Sequence, residues 1–145
     1  IWGPVYRGVR TQLISEREAT RPKPFIPLGK AEQLLQDGIV KYDAGEYVQA
    51  QKILEAALVE GLKDRNDQVR AMKHIAFCLC LRDKFRDCRN EFIMIFDVDP
   101  NFDLAPAEAG HPSWTKTFAQ AKAQAKKNQA AREKKDKAGA GSTNK

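Results

Sequence analysis

Residues 38 to 57 read Gly38-Ile-Val-Lys-Tyr42-Asp-Ala-Gly45-Glu-Tyr47-Val-Gln-Ala50-Gln-Lys-Ile-Leu54-Glu-Ala-Ala57. The same order of residue types returns 38 residues later as Ala76-Phe-Cys-Leu79-Cys-Leu-Arg-Asp83-Lys-Phe85-Arg-Asp-Cys88-Arg-Asn-Glu-Phe92, and that run closes on Asp99-Pro100. Each copy runs from a small residue through an aromatic or apolar stretch to a tight turn, then an aromatic, a small residue and a bulky one. Apolar residues at three- and four-residue steps on both sides of the turn predict paired amphipathic helices. Internal repetition at this period indicates units that bury their faces against one another.

The first hairpin is predicted from Leu28 to Gly61. Leu34, Leu35, Gly38 and Tyr42 mark its first apolar side; Tyr47, Ala50, Ile53, Leu54, Ala57 and Leu58 mark its second. Gly45 supplies a turn position that favours a residue without a Cβ, and Gly61 ends the second helix. In the second unit Asn66 or Asp67 is the expected cap. Met72, Ile75, Ala76, Leu79 and Cys80 form one stripe, and Phe85, Cys88, Phe92, Ile95 and Phe96 the other. Pro100 stops the last of these helices because it cannot extend the hydrogen-bond ladder.

Beyond Pro100 lies an ordered loop in which Phe102 and Leu104 tuck under the second hairpin. Pro112 is placed as the first residue of a final helix with Trp114, Phe118, Ala121 and Ala125 on one face. Such a helix closes the open end that a stack of hairpins leaves. His111 fixes the preceding turn. After about Gln129 the apolar face vanishes, so residues 129 to 145 are expected to be a basic, disordered tail. The expected domain is 30 to 128, preceded by an extended lead-in over 1 to 29 with three prolines between Pro22 and Pro27. Trp2-Gly-Pro-Val-Tyr6 echoes Trp114-Thr-Lys-Thr-Phe118, which would make the lead-in the end of a preceding similar unit. The chain begins at Ile1, which reads as a fragment or processed form.

The grammar of the two units resembles the tetratricopeptide repeat over about residues 31 to 125. Gly38 and Ala76 match the family's small position in the first helix, Ala50 and Cys88 its small position in the second, and Leu54 and Phe92 its bulky one. The closing proline position holds Leu62 and Pro100, so the first unit departs from the pattern, and the second lacks glycine at the turn. The resemblance implies an all-α array of two repeats plus a C-terminal capping helix. It further implies a groove for another protein lined by Leu35, Ile39 and Tyr42 from the first unit and Lys73, His74, Phe77 and Cys80 from the second. Family members that clamp a terminal carboxylate use asparagines where this chain has Ile39 and Phe77, so the implied groove is apolar. It suits a peptide or an amphipathic helix. Alternatively, these side chains pack against a neighbouring repeat or a covering N-terminal segment, for which Phe25-Ile26 is the candidate. The run from Phe102 to Trp114 is similar to a segment of bacterial repeat proteins.

Charge and cysteine content bound the function further. Residues 116 to 145 hold nine Lys or Arg against two acids, a net of +7, which leaves −1 of the overall +6 for residues 1 to 115. The basic tail (Lys126, Lys127, Arg132, Lys134, Lys135, Lys137) could meet polyanions. It lacks interleaved aromatics and a recognition-helix pattern, which argues against nucleic acid as the main partner. Cys78, Cys80 and Cys88 fit no zinc pattern. They are read either as small buried apolar side chains or, for Cys80 and Cys88, as a disulfide across the hairpin; the latter points to an oxidising envelope or periplasmic compartment rather than the cytoplasm. No cofactor or metal site is encoded, no run reaches the roughly 18 apolar residues of a membrane span, and no nucleophile elbow, phosphate loop or His-Glu motif points to catalysis. The expected function is therefore an adaptor in a bacterial envelope or secretion assembly. Since two repeats cover little of each other, a second copy of the chain is a further expected partner. The alternative is a cytoplasmic protein that holds nucleic acid by its tail.

Overall fold

The computed structural model describes residues 29 to 143, with side chains through Ala138. The expectations for the lead-in, its echo of Trp114 and the Phe25-Ile26 plug lie outside the described residues. Six helices and no strand occur among those residues. They are α1 (Lys30–Asp43), α2 (Tyr47–Glu60), α3 (Arg65–Leu81), α4 (Phe85–Val98), the one-turn α5 (Pro106–Ala109) and α6 (Thr115–Thr143). Neighbours in sequence pack on one another from α1 through α4, and α6 packs on α4. The architecture is an all-α, hairpin-like array of tetratricopeptide-like form.

The internal repeat is visible bond by bond. In the first turn Gly45 N donates to the Tyr42 carbonyl at 3.0 Å and Glu46 N to the Lys41 carbonyl at 2.9 Å. In the second, Asp83 N donates to the Cys80 carbonyl at 3.0 Å and Lys84 N to the Leu79 carbonyl at 2.8 Å. These pairs are offset by the same 38 residues as the sequence match. The left-handed residue is Gly45 in one copy (φ +82°) and Asp83 in the other (φ 62°). Glycine takes that conformation freely, whereas Asp83 has a Cβ crowding the next carbonyl.

The small and bulky positions explain the close helix approach. Ala50 and Cys88, then Leu54 and Phe92, are fully buried. Gly38 faces Leu54 so closely that a Cβ built on it would lie 2.6 Å from both Leu54 Cγ and Cδ2. Cys80 and Cys88 form a disulfide across the second hairpin, with their Cα atoms 5.4 Å apart. Cys78 is the free cysteine; it is buried, and burial pushes its thiol up to about 12. On α4, burial above all, and then the charge of Glu55 on α2, push the Glu91 carboxyl up to about 7.

Three boundaries differ from the sequence reading. The cap of α3 is Asp64, whose side chain accepts from Asn66 N at 2.7 Å, so both Asn66 and Asp67 lie inside the helix. Pro112 sits in a turn and α6 begins at Thr115, because Ser113 N donates to His111 Nδ1 at 3.1 Å and holds the chain out of helix there. Residues 129 to 143 are helical, not disordered: α6 continues to Thr143 with every side chain from Ala130 to Ala138 exposed. From Gln129 to Ala138 this stretch is alanine, lysine, arginine, glutamate and glutamine apart from Asp136, residues that favour helix without burying anything.

Gly38→Ala should lower stability by about 1–3 kcal/mol despite alanine's higher helix propensity, because the added methyl must displace Leu54. Asp83→Gly should raise it by about 0.5–1 kcal/mol, the relief of left-handed strain less glycine's entropy cost; urea denaturation of the two variants checks both signs. A thiol assay on unreduced, unfolded protein should detect only Cys78. Reduction should then cost about 2.5 kcal/mol, the loop-closure value for a bridge spanning eight residues.

Candidate functional site

The face shared by α1 and α3 carries a chain of rings. Tyr47 lies 5.6 Å from Tyr42, and Tyr42 meets His74 edge-on at 5.0 Å. His74 is 5.7 Å from Phe77, and Phe77 stacks flat on Trp114 at 3.9 Å with 14° between planes. Trp114 stacks in turn on His111 at 3.9 Å and 15°. The spacing of Tyr42 on α1 and of His74 and Phe77 on α3 puts these rings at neighbouring heights, where offset and edge-on contacts are favourable.

The sequence-predicted groove residues separate into two groups. Leu35 and Phe77 are 3% and 2% exposed, so they belong to the core and cannot meet a partner directly. Phe77 is covered because the loop after α4 returns over α3 and drives Trp114 onto it. Trp114 is itself fixed by its Nε1–H, which donates to the Glu108 carbonyl at 2.9 Å. Cys80 is buried in the disulfide. Ile39, Tyr42, Lys73 and His74 are half-buried and remain at the surface. The covering segment is the chain's own residues 101 to 114, in which Phe102 and Leu104 are buried.

The electrostatics of the remaining face are close to neutral. Lys73 Nζ lies 2.9 Å from Glu108 Oε2, so its charge is answered by the loop, and 5.9 Å from the centre of the Phe77 ring. Burial holds His74 below its ordinary value of 6.5, outweighing the opposing contact with the Arg70 carbonyl. That carbonyl, 2.8 Å from Nδ1, can only accept, so it fixes the proton on Nδ1 and leaves Nε2 as an acceptor. Burial pushes the Tyr42 hydroxyl up to about 12. The face thus offers apolar rings, one aliphatic side chain and neutral polar atoms.

Among the described residues, no three His, Cys, Asp or Glu side chains converge to hold a metal ion, and no helix is long and apolar enough to cross a membrane. The resemblance brought Tyr42, His74 and Phe77 together as groove residues, and the sequence has Trp114 capping the core; that Trp114 lies on Phe77 was not legible, since nothing local pairs residues so far apart. No protein-family model, curated protein or solved structure matches the chain.

The environment of His74 has a pH consequence. Its folded-state value lies below its unfolded one, so its contribution is complete above pH 6.5 and is lost as pH falls below that point. Glu91 works in the opposite sense, since its raised value favours the folded state as pH falls through about 7. Melting temperatures of wild type and His74→Gln at pH 7.5 and about pH 5.5 separate the two: the variant should lose less stability on acidification than the wild type.

Proposed function

We propose that this chain is a protein-binding scaffold of the tetratricopeptide type, not an enzyme, and that it holds a peptide or amphipathic helix on the α1–α3 face. The observation that carries this is the half-buried pair Tyr42 and His74, in edge contact at 5.0 Å, with half-buried Ile39 on the same helix as Tyr42. Neutral, ring-rich surface of this kind suits an apolar side chain entering from a partner. Leu35 and Phe77 form its floor and Lys73, held by Glu108, its edge. The Cys80–Cys88 bond supports an oxidising location such as a bacterial envelope or a secretion assembly built there.

A second reading, nucleic-acid association in the cytoplasm, is favoured by one observation. Lys126, Lys127, Arg132, Lys134, Lys135 and Lys137 all ride on the exposed half of α6. Of these, Arg132 is held by Asp97 at 2.8 Å.

Affinity capture from native lysate on intact protein, on Ile39→Glu and on the chain lacking residues 126 to 145 distinguishes the readings. The scaffold reading expects proteins retained by the intact and shortened chains and lost, by roughly tenfold or more, on Ile39→Glu. Ile39→Glu should stay folded, whereas Trp114→Ala should cost about 3–5 kcal/mol because it empties the core. Capture of only nuclease-sensitive material, lost with residues 126 to 145, would replace the first reading with the second.

A further inference from the structure

Away from the α1–α3 face, the starts of α4 and α6 enclose a cleft of about 380 Å3 lined by Phe85, Pro112, Ser113, Lys116, Thr117 and Gln120. Phe85 and Gln120 also line an adjoining cleft of about 200 Å3, completed by Arg86 and Arg89. The shared Phe85 is 47% exposed although it begins a helix whose later rings, Phe92 and Phe96, are buried. No acidic side chain lines either cleft.

The cations at the cleft are not ion-paired, unlike five of those elsewhere on the described surface. Lys30, Lys41, Lys73, Lys122 and Arg132 each face a carboxylate within 4 Å. Arg86, Arg89 and Lys116 have no such partner among the described residues. Three unanswered positive charges therefore surround one uncovered ring, with Ser113, Thr117 and Gln120 supplying polar groups between them.

Charge decides what fits. Residues 1 to 29 hold five Lys or Arg against two acids, and residues 116 to 145 nine against two, so neither end of the chain complements the cleft. A second copy brings a net +6. A single-stranded nucleic acid is read by successive stacked rings along a basic track, and this cleft has one ring. We propose that it docks an acidic segment of another protein, with an apolar side chain entering against Phe85 and flanking carboxylates facing Arg86, Arg89 and Lys116. Arginine pairs with carboxylates through two parallel N–H bonds, which gives such a contact direction as well as charge. This site is separate from the α1–α3 face and stands whether or not that face binds a partner.

Fluorescence anisotropy on the full chain tests it, with a short fluorescein-labelled peptide in which a central phenylalanine is flanked by aspartates and glutamates. Binding should saturate at low salt and disappear when the peptide's acids are replaced by their amides. Both Phe85→Ser and the double variant Arg86→Glu/Arg89→Glu should weaken it by roughly tenfold or more, while Lys134→Gln/Lys135→Gln leaves it unchanged. The altered side chains are all exposed, and circular dichroism checks that each variant keeps its fold. The proposal fails if no saturable binding occurs, if Phe85→Ser has no effect, or if the α6 variant loses as much as the arginine variant. It also fails in favour of nucleic acid if an oligothymidylate binds more tightly than the peptide and is lost in the same arginine variant.

Discussion

The stack of Phe77, Trp114 and His111 fastens the closing segment of the array to its second hairpin. Trp114 comes from the segment between α5 and α6, and Phe77 from the middle of α3, yet their ring centres lie 3.9 Å apart. From Phe77 the rings continue through Phe92 at 6.2 Å to Phe118 at 5.1 Å, and Phe118 meets Phe96 and Phe102. The capping helix, the returning loop and the second hairpin therefore share one aromatic core. An array of hairpins is open at its last unit, and here that opening is closed by rings contributed from outside the repeats.

The two repeats reach the same backbone by different side chains. Where the first uses Gly45 to turn left-handed, the second uses Asp83. Where the first buries Ala50 completely, the second buries Cys88, and there the Cys80–Cys88 bond ties the two helices together. Leu62, at the position matching Pro100 of the second unit, is buried and its carbonyl accepts from Gln68 Nε2 at 2.6 Å, so the first unit is closed by a side-chain bond instead.

Local pattern was enough to read both hairpins, the turn at Gly45, the stop at Gly61 and the burial of Phe102 and Leu104. Each of these rests on three- and four-residue periodicity or on the conformational needs of a single residue. The status of Phe77 was not legible, because periodicity says that a side chain faces inward without saying what covers it. Only the return of Trp114 turns a groove wall into core. The helical course of residues 129 to 143 escaped for the converse reason: absence of an apolar face was read as absence of structure, although alanine, lysine and glutamine favour helix with no face to bury. At Asp64 and Pro112 the error is one of boundary, where two neighbouring residues have the chemistry to start a helix and tertiary contacts choose between them.

The long last helix has a mechanical meaning. Ala125 is its last buried residue, and Arg132 reaches back to Asp97 at 2.8 Å as a brace near the end of α4. From Ala125 to Thr143 the backbone rises by roughly 27 Å at 1.5 Å per residue. A rod of that length, charged along its sides and fixed at its root, carries its last cations well clear of the packed body.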